Sequence, residues 1–400
     1  MLVLLASSRA AFSNFADLFT LFVAMLSGVV WMIRGARVMP AAIIFVVVSL
    51  VWVAVHSFLS GVVSWTTYGG HFLRMLAGIF VLGAVARPLE LMVTWVIRLS
   101  LAGFTIYGLG LAAPGVISQL HALTPDAFTM FGGTLFGETL TSGWPRANWI
   151  FYTLAPTRWH QNHGFMWEPA AYAMICAFAL WYRMLQGKLG FDRDNLILLV
   201  AIASTVSTTG MVALAFSLGV LLLHHGMFGM IAVMLTLPWV GLFFLQAEFM
   251  IDKIVQEFQA GYSPHMQWSL TRAASFQLDM QSFSQAPLLG QGIVIEASHA
   301  LKYRPPSNNG FSDYLTRYGL VMSTYLAALF IISTRAYFRA RVLMVLGMCM
   351  VLFLFSWSEK YFELPLFYVM SFAGFYNRRE TPPEPDPLDR QGASRLPATA

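Results

Sequence analysis

The chain is organised around one polar run, Arg158-Trp-His-Gln-Asn-His-Gly-Phe-Met-Trp-Glu-Pro169. This run holds an arginine, two histidines, a glycine and a glutamate, although only 11% of all residues are charged. Long apolar segments flank it on both sides. Polar groups at the membrane boundary of a transmembrane domain cost free energy unless they contact water, a partner or a substrate. We therefore interpret the run as one wall of an active site outside the cytoplasm.

Composition indicates the class of protein. Hydrophobic residues make up 58% of the 400 residues, the mean hydropathy is +0.65, and apolar runs of membrane-spanning length recur throughout. We expect an all-α polytopic membrane protein, because the apolar segments are continuous and do not alternate as barrel strands do. The net charge of +5 is attributed to cytoplasmic Arg and Lys, so no nucleic-acid partner is expected. Cys176 and Cys349 fall in apolar spans, which argues against a disulfide or a cysteine metal site.

The apolar runs predict about eleven transmembrane helices, or twelve, of roughly 15 to 22 residues each. Their predicted bounds are Phe15–Ile33, Ala41–Ser60, His71–Ala86, Leu89–Leu111, Ala170–Leu185, Leu196–Thr205, Met211–Leu223, Met227–Ala247, Tyr314–Ser333, Val342–Trp357 and Phe362–Phe375. Residues 1–376 form one transmembrane domain with two long outer loops, 112–168 and 248–312. Residues 377–400 are Pro-rich and are expected to be a disordered cytoplasmic tail. Met1–Ala6 is too short for a signal-peptide core; a remnant of a first span is the alternative.

Basic residues predict the orientation of these spans. When the spans alternate, the basic groups fall on one side, which the positive-inside rule assigns to the cytoplasm. These groups are Arg34/Arg37, Arg87, Arg183/Lys188/Arg193, Arg335/Arg339/Arg341 and Arg378/Arg379. Both long loops and the Ser358–Tyr361 turn then lie outside. Two separate basic loops on one face suggest an anionic ligand, since a guanidinium offers a planar fork suited to phosphate oxygens. Charges that only keep long loops soluble are the alternative.

The end of the polar run has two interpretations. Gly164 is expected to form a turn that presents His163 and Glu168 at the start of a helix, whose first residue is Pro169. A glutamate there stabilises the helix end by about 0.3–1 kcal/mol, or it acts as a general base if its pKa is raised. The spacing of His160, His163 and Glu168 does not match a recognised ligand pattern, so no metal site is predicted.

Two arginines fall within predicted spans and are functional candidates for that reason. Arg74 lies near the outer end of its span, where snorkelling to the interface is the alternative. Arg98 lies deeper, where it either binds substrate or forms a buried structural pair; His56 is a weaker candidate. The hydroxyl-rich run Ser204–Gly210 is read as a tight helical hairpin whose Ser and Thr satisfy freed carbonyls. Lining a polar cavity is its alternative role.

Three stretches carry a resemblance to a known family. They are His163-Gly-Phe-Met-Trp-Glu-Pro169, Ser204-Thr-Val-Ser-Thr-Thr-Gly210, and a second-loop set made of Pro287-Leu-Leu-Gly-Gln-Gly292, Ser307-Asn-Asn-Gly310 and Arg317-Tyr-Gly319. Together they resemble the O-antigen ligase and polymerase family of bacterial membrane glycosyltransferases, over residues 146–326. Each motif alone is weak, whereas their order, spacing and common outer placement are moderately specific.

The resemblance implies a metal-independent, inverting glycosyltransferase without a cofactor, acting on undecaprenyl-diphosphate-linked oligosaccharide at the outer face of the bacterial inner membrane. Membrane lipid, a flippase and a chain-length regulator are the further partners it implies. It implies outer-loop arginines for the diphosphate, and Arg158, Arg272 and Arg304 are the matching positions. We therefore expect Glu168, His163 and Arg272 to be catalytic, with either of the first two as base. The expected substrate-binding residues are Arg158, Arg304, Arg74, Arg98 and Asn309.

Departures from the family pattern decide between its branches. Gln161 and His163 stand where many members have an arginine before the glycine, and Asn308-Asn309 stands where ligases have a His-Asn pair. The missing histidine favours a polymerase of exopolysaccharide or O-antigen repeat units. The alternatives are a ligase that transfers glycan to lipid A–core, or a transporter or flippase of lipid-linked oligosaccharide.

Overall fold

The computed structural model describes most of the chain. The described ranges are residues 1–8, 16–36, 39–124, 129–130, 134–135, 138–139, 146–149, 151–155, 160–224, 226–229, 231, 235, 271–294 and 307–376. Arg158, Arg304, most of the predicted span Met227–Ala247 and the predicted tail lie outside these ranges.

Helices make up most of the described residues. In chain order they are α1 (Leu2–Ser8), α2 (Ala16–Ile33), α3 (Pro40–Ser60), α4 (Trp65–Ala84), α5 (Pro88–Ala112), α6 (Pro114–Ala122), α7 (Pro169–Leu185), α8 (Arg193–Ser204), α9 (Thr208–His224), α10 (Arg272–Phe283), α11 (Gly310–Phe338), α12 (Val342–Ser356) and α13 (Pro365–Tyr376). Within the described ranges, α3, α5 and α11 are long and apolar enough to cross a membrane, and five shorter apolar helices accompany them. The predicted helical class is confirmed, and the apolar helices indicate a membrane-embedded protein; the number of crossings stays a prediction.

Helices α4 and α11 extend farthest beyond their predicted bounds. The predicted span starts at His71, but α4 already begins at Trp65 and includes Gly69 and Gly70. The cause is Ser64, whose Oγ accepts a hydrogen bond from the Thr67 backbone N–H at 3.5 Å and so caps the helix. Helix α11 begins at Gly310 because the Asn309 side chain caps it in the same way, through Ser312 N–H at 3.0 Å.

The first outer loop contains strands that the all-α prediction missed. They are β1 (Thr129–Met130), β2 (Thr134–Leu135), β3 (Glu138–Thr139), β4 (Arg146–Trp149) and β5 (Tyr152–Leu154). One antiparallel sheet has the order β1-β4-β5, and β2 pairs with β3 in a second. In the first sheet Trp149 is paired with Tyr152. Strands this short carry too little alternation to be recognised by their period.

Helix α7 lies at the centre of the bundle. Its side chains are buried from Ala171 to Leu185 without interruption, and a helix that is apolar all round is expected to be surrounded by others. It contacts α5, α8, α9 and α12. Helices α2 and α3, in contrast, carry many exposed apolar side chains, among them Met25 at 63% and Val51 at 57% exposure. Such a surface fits contact with lipid.

Candidate functional site

The second outer loop docks on a kink in α11. Gly319 has a φ of 68° inside the helix, and Gly290 has a φ of 78° in the loop. Gln291 N–H donates to Thr316 O at 2.7 Å, and Leu320 N–H donates to Pro287 O at 2.9 Å. A Cβ on Gly319 would collide with Leu288 O. The loop and the helix start are therefore one structural unit, which holds the second-loop motifs together.

A buried polar network surrounds the start of α11. Ser307 Oγ donates to Asp279 Oδ2 at 2.7 Å, Ser312 Oγ donates to the same oxygen, and Thr316 Oγ1 donates to Asp279 O at 2.9 Å. Asp279 lies on α10, so this carboxylate ties α10 to α11. Asn309 is fully buried, and its Nδ2 has no hydrogen-bond partner among the described residues. An unsatisfied buried donor is costly, so this amide is a candidate ligand contact.

One turn further along α11, a carboxylate holds two cations. Asp313 Oδ1 lies 3.0 Å from Arg317 Nε, and Asp313 Oδ2 lies 2.9 Å from Lys360 Nζ. The Asp313 side chain is only 4% exposed, whereas those of Arg317 and Lys360 are 17% and 30% exposed. Two cations therefore share this one buried carboxylate, and a second carboxylate, Glu363, lies near Arg74 in the same region.

Arg74 lies in the same region with its donors poorly satisfied. Its guanidinium is 3.9 Å from Glu363 Oε2 and 3.9 Å from Asp17 Oδ1, distances that are too long for hydrogen bonds. Its Nε is buried and has no hydrogen-bond partner among the described residues. Arg74 can therefore accept an anionic ligand without first breaking a strong pair.

Aromatic and imidazole rings connect these charges. His71, one helical turn before Arg74, has its Nδ1 3.2 Å from Tyr318 OH. Tyr318 stacks on Trp52 at 5.1 Å, and the Trp52 Nε1–H donates to Leu289 O at 3.0 Å. The His56 Nε2 lies 2.9 Å from that carbonyl. Helices α3, α4 and α11 and the second loop thus meet at one place.

The turn that carries Lys360 and Glu363 is recessed. Helix α12 has 15 residues and α13 has 12, lengths of about 22 and 18 Å, short of a hydrocarbon core of about 30 Å. The Lys360 and Glu363 side chains are 30% and 19% exposed, so the charged cluster is partly shielded from solvent.

The first-loop run folds against the hydroxyl-rich hairpin. Asn162 N–H donates to Ser204 O at 3.0 Å, and Asn162 Nδ2 donates to Ser204 Oγ at 2.9 Å. The hairpin satisfies its own carbonyls and amides: Thr205 Oγ1 donates to Ile202 O at 2.7 Å, and Gly210 N–H donates to Ser207 Oγ at 3.0 Å. The preferred interpretation of this run as a tight helical hairpin is confirmed.

The predicted turn before α7 is present. Gly164 has a φ of 52°, and a Cβ there would lie 2.5 Å from the Tyr172 ring, so glycine is required. His163 is 2% exposed. Glu168 is the N-cap residue of α7, yet its side chain forms no capping hydrogen bond, and Pro169 is the first helical residue as predicted. The half-buried carboxylate is therefore not occupied by the helix amides.

The predicted site residues fall into separate places. His163 and Glu168 lie together before α7, while Arg74 and Asn309 belong to the region around the start of α11. Arg272 is the half-buried first residue of α10. Arg98 is exposed, lies 5.4 Å from the Trp95 ring centroid, and lines a different cavity. It is thus not in a buried pair, one of the two roles considered for it.

Sequence reasoning overlooked most of the cluster, namely His71, Asp313, Arg317, Lys360 and Glu363. Signals for them existed. His71 precedes Arg74 by one helical turn, and Asp313 and Arg317 have the spacing of an ion pair along a helix. The Ser358–Tyr361 turn was already predicted to lie on the outer side. Only the packing of α4, α11 and α13 brings these residues together. Within the described ranges, no group of three or more His, Cys, Asp or Glu side chains lies close enough to hold a metal ion.

Comparison with known protein families finds no match for the chain, and no curated protein matches it significantly.

Proposed function

We propose that the protein polymerises undecaprenyl-diphosphate-linked oligosaccharide repeat units at the outer face of the bacterial inner membrane. The observation that supports this most directly is the cationic group Arg317, Lys360 and Arg74 at the recessed turn of an apolar bundle. A diphosphate attached to a lipid needs cations beside a lipid-exposed surface, and this combination is present. The resemblance to the O-antigen ligase and polymerase family points to the same ligand.

In the proposed reaction, the cations bind the diphosphate of the donor. Asp313 holds Arg317 and Lys360 about 3 Å from its two oxygens, so their positions are set before the ligand arrives. Preorganised charges stabilise the negative charge that develops on a leaving group, because they need no reorganisation during the reaction. The additional donors are Arg74, with its long ion pairs, and Asn309 Nδ2, which has no hydrogen-bond partner among the described residues. Arg158 and Arg304 remain predicted contributors from the loops.

The proposed transfer is a single inverting displacement. A hydroxyl oxygen of the acceptor sugar attacks the anomeric carbon of the donor, the bond from that carbon to the diphosphate oxygen breaks, and the polyprenyl diphosphate leaves. The hydroxyl proton passes to Glu168 or His163. Both residues precede α7, with Glu168 as its N-cap residue. Further along the same helix, Phe178 packs against Tyr361, the neighbour of Lys360, at 5.9 Å.

The prenyl chain of the donor is proposed to lie along the lipid-exposed helices. On α3, the exposed side chains include Val47 at 50%, Leu50 at 50% and Val51 at 57%. An apolar chain placed there adds no buried polar group, and it leaves the diphosphate free to enter the recess.

The deciding experiment uses the purified full chain and lipid-linked repeat units, with products resolved by length. The wild-type protein should form a ladder of longer glycans, and Arg74→Ala and Arg317→Ala should reduce it by at least about 10²-fold. Arg335→Ala is the matched control, because Arg335 is an exposed arginine on the distant part of α11. Undiminished ladders in both test variants would contradict the proposal.

The same assay distinguishes the alternative functions. Transfer only to lipid A–core would indicate a ligase. Movement of the substrate across the bilayer without new bonds would indicate a transporter.

A further inference from the structure

A polar cavity of about 340 Å³ lies between α5, the end of α7 and the start of α8. It belongs to the end of the bundle that the positive-inside pattern assigns to the cytoplasm, away from the proposed catalytic recess. Its charged lining residues are Arg98, Arg183, Lys188, Arg193, Glu90 and Asp194.

One of these cations, Arg183, has all three side-chain nitrogens bound to neighbouring residues. Its Nε donates to Asn195 Oδ1 at 2.7 Å, and its two terminal nitrogens pair with Asp194 at 2.8 Å and Asp192 at 2.6 Å. Asn195 in turn donates to the backbone carbonyls of Lys188 and Gly190. These hydrogen bonds and ion pairs make the α7–α8 corner rigid, and they position Lys188 and Arg193 at the cavity.

The other three cations are free to bind a ligand. Arg98, Lys188 and Arg193 are exposed, and none of them forms an ion pair with any residue in the described part of the chain. The Glu90 carboxylate accepts a hydrogen bond from Tyr337 OH at 2.9 Å. Three unpaired cations around one cavity fit a phosphate group, which accepts several charge-assisted hydrogen bonds at once.

The surroundings of the cavity indicate that the phosphate belongs to a lipid. Leu101 on α5 is 38% exposed, and Leu196 and Val200 on α8 are 46% and 54% exposed. Arg98 itself lies in a helix long and apolar enough to cross a membrane, beside an indole ring of the kind that favours the lipid–water interface. Basic pockets between transmembrane helices on this side of a membrane suit anionic head groups.

We infer that this cavity binds the phosphate head group of an anionic phospholipid, with Arg98, Lys188 and Arg193 as its ligands and the acyl chains along α5 and α8. Arg98 is thereby assigned to membrane lipid rather than to the glycan donor. The inference does not depend on the proposed transferase activity.

The test measures lipid retained by the purified full chain in native mass spectrometry, after exchange into mixed micelles with equal phosphatidylglycerol and phosphatidylcholine. The wild-type protein should retain several-fold more phosphatidylglycerol. The double variant Arg98→Gln/Arg193→Gln should lose this preference. The control Arg335→Gln/Arg341→Gln removes two exposed arginines from the same predicted side and should keep it.

Two results would overturn the inference. One is equal phosphatidylglycerol retention by the test and control variants. The other is displacement of the lipid by millimolar inorganic phosphate, which would assign the cavity to a soluble anion. The single variant Arg98→Gln, at an exposed position, guards against a folding defect and should lower the preference by itself; folding of each variant is checked by its helical circular dichroism.

Discussion

Lys360 Nζ lies 2.9 Å from Asp313 Oδ2, a contact between the turn that follows α12 and the first turns of α11. Tyr314 stacks on Phe362 at 4.5 Å beside it, so a charge pair and a ring pair fasten the same two segments. The Asp313 carboxylate is almost completely buried, and loss of Lys360 would remove one of the two cations that hold it. Lys360 therefore contributes to two properties of the recess: its stability, and the positive charge that it offers to a ligand.

Replacing Lys360 by Met should lower the free energy of unfolding by about 1–3 kcal/mol. This is less than the roughly 3–5 kcal/mol for breaking a fully buried pair, because Lys360 keeps some contact with water. The amount of polymer should fall by more than the loss of stability explains, because a contact with the diphosphate is also lost. Thermal unfolding and the product ladder measure the two effects. Lys360→Arg should restore both, and a normal ladder from Lys360→Met would contradict the role given to this residue.

Replacing Gly319 by Ala should destabilise the protein by about 1–3 kcal/mol. A φ of 68° is strained for any residue with a Cβ, and that Cβ would meet the Leu288 carbonyl oxygen. Gly219→Ala on α9 is the control, because a Cβ there meets nothing within 4 Å and alanine favours a helix. Denaturation midpoints compare the two variants. Equal midpoints would show that the kink does not hold the second loop.

Replacing Glu168 by Gln distinguishes a base from a structural charge. If Glu168 accepts the acceptor proton, the transfer rate should fall about 10²–10⁴-fold, while stability changes by no more than about 1 kcal/mol. His163→Gln is the parallel variant for the other candidate. Single-turnover transfer with saturating donor measures the chemical step. Wild-type rates in both variants would exclude both residues as the base.

Replacing Arg183 by Met should cost about 2–4 kcal/mol of stability, because Asn195 and two aspartates lose their common partner. Arg193→Met, an exposed neighbour without an ion pair among the described residues, should change stability by no more than about 0.5 kcal/mol. Thermal unfolding of the two variants in one detergent provides the comparison. A similar loss in both would mean that the corner depends on net charge rather than on the Arg183 contacts.

Several features of the fold were predictable from local signals. Pro169 and Gly164 mark the start of α7, because one occupies a first helical position and the other a positive φ. The hydroxyl groups of Ser204–Gly210 predict a hairpin that satisfies its own backbone. The helices α3, α5 and α11 follow from continuous apolar runs. Short strands such as Arg146–Trp149 did not, because they carry too little alternation to be recognised by their period.

By itself, the sequence determined the helical, membrane-embedded class and the positions of most helices, because apolar length and capping residues act locally. Which charges meet was decided only by the tertiary structure. Arg74 and Arg98 look alike in the sequence, yet one lies beside Glu363 and the other beside Trp95 at a separate cavity. Contacts such as Lys360 with Asp313 join segments that are remote in the chain. No local pattern encodes them, since they depend on how α4, α11 and the recessed turn pack together.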